Sequence, residues 1–334
     1  MNKKKREIEV RVDEGDALKY RVDTLAVKYA QKYHGLDGEI VRRFEEAGFD
    51  SESLKPLPGQ YEIVSSHGQM MSTNILFYGV PPLRKFRYQQ IREFSRGVMQ
   101  ALLEIDSSAV HLGLTLHGAN YGLDEVEAFE AEIAGLADAV AEYKVPEKLE
   151  LITLIERNAV RAKRLAKTLN ELLPLGRIIA DSGYGSGDEE KYGARLRSAG
   201  YASDSKPHVF VAMPFNESMD DVYHYGISGA VRAAGFVCER VDERAFTGDV
   251  LARVKQRIKS SSLVVADLST ANSNVYLEVG YAWGCGIPTI LVVSDVNELK
   301  FDVQGQRCLE YKKIKDLERM LLEELSAIGA SLGN

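Results

Sequence analysis

Hydrophobic residues in the second half of the chain fall into short continuous runs separated by segments of helical periodicity. The apolar runs lie at residues 208–215, 236–242, 263–269 and 288–294. Periodic segments lie at 219–235 and 248–262, and a further one begins at Asn274. Strands that are apolar throughout and alternate with helices predict a parallel sheet with helices on both faces.

The first half of the chain shows the same alternation. We expect strands within residues 7–16, 74–83, 108–122 and 148–155, and helices at 37–48, 90–106, 124–143 and 158–173. Residues 176–206 are rich in Gly, Ser, Asp and Lys, which is typical of a linker. The pattern therefore predicts two three-layer α/β/α domains, at residues 1–175 and 207–334.

Composition narrows the class of protein. The 334 residues suffice for about two domains, and a net charge of −7 argues against a chain-wide nucleic-acid surface. No run approaches the ~18 apolar residues of a membrane span, and the absence of an apolar segment after Lys3–Arg6 leads us to expect no secretory signal. Three cysteines without CxxC spacing favour a cytoplasmic protein without disulfides. We expect no metal and no cofactor, because the sequence has no motif for either.

Polar residues cluster where the second-half strands end. In an open α/β sheet, ligands bind beyond the carboxyl ends of the strands. The residues predicted there are Met213, Pro214, Phe215, Arg240, Asp242, Asp267, Ser269, Asn274 and Glu278. Carboxylates, an arginine and hydroxyl or amide groups at one edge suit sugar binding and glycosyl transfer.

Glu278 falls on the same helical stripe as Val275, Val279 and Ala282. With Asn274 as N-cap, Glu278 closes the first turn, where the helix dipole favours an anion. A poorly hydrated carboxylate is suited to act as a nucleophile or to stabilise an oxocarbenium-like sugar. The ordinary alternative is a glutamate whose head reaches water, and Asp267 alone is more often a turn or cap residue.

Three motifs between residues 208 and 294 resemble the nucleoside 2-deoxyribosyltransferase-like family, in particular its bacterial nucleotide-binding branch with a TIR-like domain. They are Pro214-Phe215, Ala266-Asp267-Leu268, and the stretch from Asn272 to Gly280, in which Ser273 and Val279 replace a common Pro and Leu. The resemblance implies a flavodoxin-like parallel sheet and a homo-oligomer. It also implies Glu278 as the group acting at C1′ of a nucleotide sugar such as NAD, with Asp267 contacting the sugar or base.

The stretches "GDALKYRVDTLAVKYA", "HGLDGEIVRRFEEAG" and "LTLHGANYGLDEVEAFEAEIA" resemble a macro domain. This resemblance implies an ADP-ribose-type ligand, with Asp16 at the adenine. Two phosphate loops would carry Gly35, Asp37 and Gly38, and Gly118, Asn120, Tyr121 and Gly122. Val27 and Ala30 stand where the family has asparagines, which argues against macro-type hydrolysis.

Together these features predict an N-glycosidase that cleaves NAD or a related nucleotide and is regulated by a nucleotide on the macro-like domain. By analogy, such a pairing suits an antiphage defence effector. Two alternatives stay open from the sequence. One is a nucleotide-binding sensor without catalysis, and the other is a macro-type ADP-ribosyl hydrolase.

Overall fold

A computed structural model describes residues 7–105, 108–119, 122–142, 144–179, 188–241 and 250–332. The chain divides into two compact units. The first comprises Met1–Ala119 and Glu125–Asp204, and the second comprises Asn120–Asp124 and Ser205–Asn334. Three predicted site residues, Asn120, Tyr121 and Asp242, lie outside the described residues.

The first unit is built on a seven-stranded sheet of order β3-β4-β2-β5-β6-β1-β7. The strands β4, β2, β5, β6 and β1 run parallel, and the edge strands β3 and β7 run antiparallel to their neighbours. The strands are β1 (Glu7–Glu14), β2 (Thr24–Tyr29), β3 (Tyr61–Ser65), β4 (Asn74–Gly79), β5 (His111–Leu114), β6 (Leu151–Glu156) and β7 (Arg177–Ile179). The helices are α1 (Leu36–Glu46), α2 (Tyr88–Ile105), α3 (Glu125–Ala141), α4 (Ala159–Leu172) and α5 (Asp188–Ser198).

Helices cover both faces of this sheet, as alternation along β4 shows. Phe77 belongs to the buried cluster that includes Ile40 and Phe44 of α1. Its neighbour Tyr78 points to the opposite face, where its ring meets Phe94 of α2 at a centroid distance of 5.8 Å. Successive side chains of a strand point to opposite faces, so the first unit has the three layers that the sequence predicts.

The stretch that we expected to be a linker contains two regular elements. Strand β7 pairs with β1, and helix α5 packs on α3 and α4. The buried guanidinium of Arg92 donates to the carbonyls of Leu196 and Ala199, at and just beyond the end of α5, at 3.0 and 2.6 Å. The division between the units therefore falls at residue 204 and not at residue 175.

The second unit is built on five parallel strands of order β12-β11-β10-β8-β9, which confirms the predicted parallel sheet. The strands are β8 (His208–Ala212), β9 (Val237–Glu239), β10 (Leu263–Asp267), β11 (Thr289–Val293) and β12 (Cys308–Glu310). The helices are a π-helix (Val222–Ser228), α6 (Gly229–Ala233), α7 (Val250–Ser260), α8 (Ser273–Gly284) and α9 (Ile314–Leu332).

Both faces of the second sheet are buried as well. Val209 and Val211 of β8 pack with Leu321 of α9, whereas Phe210 packs with Ile258 of α7 on the other face. Strands buried on both sides explain the continuous apolar runs in the sequence. Within the described residues, no helix is long and apolar enough to cross a membrane.

Candidate functional site

The strand order of the second unit reverses between β8 and β10. From β8 the chain proceeds to β9 at one edge of the sheet, and from β10 it proceeds to β11 on the other side. The connections therefore diverge at the adjacent carboxyl ends of β8 and β10. Such a topological switch point opens a crevice in which doubly wound folds bind their ligands.

Arg240 lies close to the residues that follow β8. Its guanidinium lies over the rings of Phe215 and Tyr223, at 4.3 and 3.9 Å from their centroids. It also donates to Sδ of Met213 at 3.6 Å. Its side chain is 12% exposed, and Asp220 lies 3.5 Å away. Stacking between two rings holds a planar cation in one orientation, which suits recognition of a phosphate.

Asp267 ends β10 and is fully buried. Its Oδ1 accepts a 2.9 Å hydrogen bond from the backbone of Ser269, and its Oδ2 accepts one of 2.9 Å from the hydroxyl of Tyr311. The Oγ of Ser269 accepts from the backbone of Ser294 at 2.9 Å. Burial raises the pKa of Asp267, while the bonds from Ser269 and Tyr311 act against this rise. Both carboxyl oxygens are thus used in fixing the turn that leads to α8.

Helix α8 begins earlier than the sequence suggested. Its N-cap is Asn272, whose Oδ1 accepts from the backbone N–H of Asn274 at 2.9 Å. The assignment of Asn274 as N-cap is therefore wrong, because this exposed residue lies inside the first turn. Glu278 lies in the second turn, beyond the part of the helix where the dipole acts strongly.

Glu278 lies at the flank of the buried stripe of α8. Val275, Val279 and Ala282 are buried, whereas Glu278 is half-buried. Tyr281 follows Glu278 by three residues and therefore lies on the same side of the helix. Since Lys255 of α7 lies 5.6 Å from the Tyr281 ring centroid, this flank faces α7. Helix α8 also contacts β8, which borders the crevice.

The first unit brings two of the predicted loops together. Strands β2 and β5 pair directly, so the loops that follow them are neighbours at one sheet edge. Gly35 has φ 72° and ψ −123°, and Gly118 has φ 90°. These conformations favour glycine, and loops that contain such residues are one way in which proteins present backbone N–H groups to an anion. Gly38 lies in the first turn of α1.

Asp37 holds the first of these loops in place. The residue is 2% exposed, and its Oδ1 accepts a 3.0 Å hydrogen bond from the backbone of His34. Burial raises the pKa of Asp37 to about 6, and the charge of Lys28 acts in the opposite direction. Asp16 follows β1, accepts from the backbone of Leu18 at 3.1 Å, and lies 3.3 Å from the exposed Arg157.

Gly122 is placed differently from Gly118. Its carbonyl accepts a 3.3 Å hydrogen bond from Arg257, and it belongs to the second unit. The two glycines of the predicted second loop thus lie in different compact units. The sequence gives no local sign of this, because Arg257 lies 135 positions away from Gly122.

Sequence reasoning missed several buried polar residues. Tyr223 and Tyr311 were not singled out, although each contacts a predicted site residue of the second unit. In the first unit, His117 and Glu132 are buried, and burial moves their pKa values to about 3 and about 8. Neither Nε2 of His117 nor the carboxyl oxygens of Glu132 have a hydrogen-bond partner among the described residues.

Comparison with solved structures finds similarity between macrodomains and about half of this chain. No protein-family model matches the chain, and no curated protein matches it. The Oceanobacillus iheyensis macrodomain with MES bound is 14% identical over 51% of this chain and 99% of its own, with a TM-score of 0.37. The Trypanosoma brucei macrodomain in complex with ADP-ribose is 16% identical over 48% and 69%, with a TM-score of 0.38. The macro domain of ganglioside induced differentiation associated protein 2 is 13% identical over 50% of this chain and 84% of its own, with a TM-score of 0.37.

Proposed function

We propose that the second unit is a nucleotide N-glycosidase acting on NAD or a related nucleotide. One observation supports this proposal. The strand order reverses between β8 and β10, which is where doubly wound folds bind their ligands, and the helix that carries Glu278 starts from the turn after β10. Glu278 is the half-buried carboxylate on that helix, on the flank that faces α7.

In the proposed reaction, the bond between C1′ of the ribose and the base nitrogen breaks, and its electron pair leaves with the base. Glu278 stabilises the resulting oxocarbenium-like sugar or traps it at C1′. Water then adds to C1′ and releases a proton. Where Glu278 has formed a bond to C1′, that bond breaks in the same step and its electron pair returns to the carboxylate, so that the products are a free base, a nucleotide sugar and the regenerated Glu278. Arg240, held between two aromatic rings, and the backbone after Pro214 bind the phosphates.

Asp267 contributes by positioning in this proposal. Both of its oxygens already accept hydrogen bonds, from Ser269 and Tyr311. These bonds fix the turn between β10 and α8, and thereby the start of the helix that presents Glu278.

We propose further that the first unit binds an ADP-ribose-type nucleotide as a regulatory ligand. The backbone N–H groups of the loops around Gly35 and Gly118, two glycines with positive φ, would receive the diphosphate, with Asp16 at the adenine. Asp37 would hold the loop rather than react, because it is buried and bound to His34. This arrangement favours binding over ADP-ribosyl hydrolysis.

The test is incubation of the full chain with NAD and a panel of nucleotides, with and without ADP-ribose, followed by chromatography of released bases. We expect release by the wild type, a loss of at least about 100-fold in Glu278→Gln, and no change in Glu323→Gln, an exposed glutamate of α9. Equal release by Glu278→Gln, or no release from any nucleotide, would overturn the glycosidase. Nucleotide binding that persists without any base release would instead identify a sensor.

A further inference from the structure

Asp124 lies at the free edge of the second sheet. It is fully buried, and its Oδ2 accepts a 3.0 Å hydrogen bond from the backbone N–H of Cys238, the middle residue of β9. Arg232 of α6 donates to its Oδ1 at 3.3 Å. Strand β9 is an edge strand, so its outward backbone groups need partners from outside the sheet. Asp124, which lies 114 positions before Cys238 in the sequence, thus supplies the acceptor for an outward N–H group of this edge strand.

Gly122 extends the contact toward the end of β9. Its φ of 89° is in the left-handed region, and a Cβ on it would lie 3.0 Å from Cγ2 of Val241. The backbones of Val241 and Arg240 are within 3.8 and 3.9 Å of the same point. Arg257 donates to the Gly122 carbonyl and also pairs with the buried Glu239 at 3.0 Å. Residues Gly122–Asp124, the edge segment, therefore run alongside β9 from Cys238 to Val241.

The edge segment fixes the part of β9 that leads to Arg240. This arginine is the cation that the proposed function assigns to the substrate phosphates. Its guanidinium contacts the ring of Phe215 and Sδ of Met213. Its backbone carbonyl oxygen would lie 3.9 Å from a Cβ on Gly122. A shift of the edge segment along β9 would therefore be transmitted to Arg240 through the strand itself.

The edge segment is also continuous with the first unit at both ends. Ala119 precedes it and Glu125 follows it, and both belong to that unit. The preceding loop carries Gly118, which has a positive φ and which the proposed function assigns to the regulatory nucleotide. If nucleotide binding at the Gly118 loop moves the edge segment, it must alter phosphate binding at Arg240, and phosphate binding must in turn alter nucleotide binding.

We propose that the edge segment is the regulatory element of this protein: binding of an anionic nucleotide at the loop after β5 shifts residues Gly122–Asp124 along β9 and changes the setting of Arg240. This inference rests on the nucleotide-binding part of the proposed function. By linkage the effect is reciprocal, so occupation of the second unit also alters affinity for the nucleotide on the first.

Hydrogen–deuterium exchange on the full chain, with ADP-ribose as the probe and calorimetry in parallel, tests this. In the wild type, saturating ADP-ribose should change exchange in residues 236–241 by at least about fivefold, the lower end of ordinary coupling. Asp124→Asn should bind ADP-ribose within about twofold of the wild type and lose the response in β9. The exposed Asp302→Asn is the matched control and should keep the response.

Gly122→Ala provides a second route should Asp124→Asn fail to fold. It leaves the buried charge in place but forces a Cβ against Val241, and it too should weaken the response of β9. Binding of ADP-ribose without any change in β9, or an equal change in Asp124→Asn, overturns the regulatory role and leaves the proposed function standing. No binding of ADP-ribose by the wild type overturns both.

Discussion

The hydroxyl of Tyr311 donates a 2.9 Å hydrogen bond to Asp267, and this bond spans three strands. Asp267 ends β10, Tyr311 follows β12, and β11 lies between them in the sheet. Ser269 joins the same group by accepting from the backbone of Ser294, just after β11. The carboxyl ends of three neighbouring strands are thus tied together next to the candidate crevice.

Replacing Tyr311 should therefore destabilise the second unit. Tyr311→Phe removes the donor and leaves one oxygen of a fully buried carboxylate without a partner, at a cost of about 1–3 kcal/mol in the free energy of unfolding. Urea denaturation measures this change. Tyr276→Phe is the control, since its hydroxyl accepts from the backbone of Lys300 at a more exposed position. Equal effects of the two variants would contradict the role given to Asp267.

Glu132 should make stability depend on pH. Burial raises its pKa from 4.5 to about 8. The neutral carboxyl group therefore contributes fully to the free energy of unfolding below pH 4.5, and this contribution is lost as the pH rises toward 8. His117, whose pKa burial lowers from 6.5 to about 3, acts only below pH 6.5. Glu132→Gln should therefore gain about 2 kcal/mol relative to the wild type between pH 6.5 and pH 8.

The measurement is urea unfolding of both proteins at pH 6.5, 7.25 and 8. The lower limit is the ordinary pKa of a histidine, above which His117 does not contribute, and the upper limit is the raised pKa of Glu132. Parallel stability curves for the wild type and Glu132→Gln would show that this carboxyl is not held neutral by its surroundings.

Arg92 should be the strongest single polar contributor to the first unit that we test. Its guanidinium binds both oxygens of Asp138, at 2.7 and 2.8 Å, and the carbonyls of Leu196 and Ala199. Arg92→Met leaves these groups without their partner, and we expect a loss of about 3–5 kcal/mol by urea denaturation. Arg42→Met removes an exposed arginine with two ion pairs and should leave the free energy of unfolding almost unchanged, because exposed ion pairs contribute little.

Asp37 should matter for ligand affinity through the loop that it holds. Asp37→Ala removes the acceptor of the His34 N–H and should weaken binding of ADP-ribose about tenfold, measured by calorimetry. Asp50→Ala is the matched control, because Asp50 accepts a backbone N–H of Glu52 at 2.9 Å on the surface. Unchanged affinity in both variants would exclude the loop around His34 from the ligand site.

Local sequence pattern predicted the parallel sheet of the second unit because its strands are apolar throughout. The same reasoning missed β2 and α5. The apolar run of β2 is interrupted by Lys28, which is buried against expectation. Helix α5 is largely polar, and the carbonyls at its end are bound by Arg92, more than 100 positions earlier in the chain. Contacts between residues so far apart in the chain produce no local periodicity of hydrophobic residues from which they could be predicted.

The sequence suggested candidate site residues but not the local geometry around them. Two asparagines two positions apart both suit an N-cap, and only the structure shows that Asn272 is the one used. This difference moves Glu278 from the first turn to the second. The role of Asp267 depended on Tyr311, which follows a strand that the pattern did not predict.

The edge segment also decides what can be inherited as a module. A gene fragment encoding only residues 205–334 would supply every strand of the second sheet, yet it would lack Asp124 and Gly122. Arg232 and the N–H of Cys238 would then lose the carboxylate that they share in the intact chain. We therefore expect that recombination cannot transfer residues 205–334 alone without loss of stability, and that the two units are inherited together.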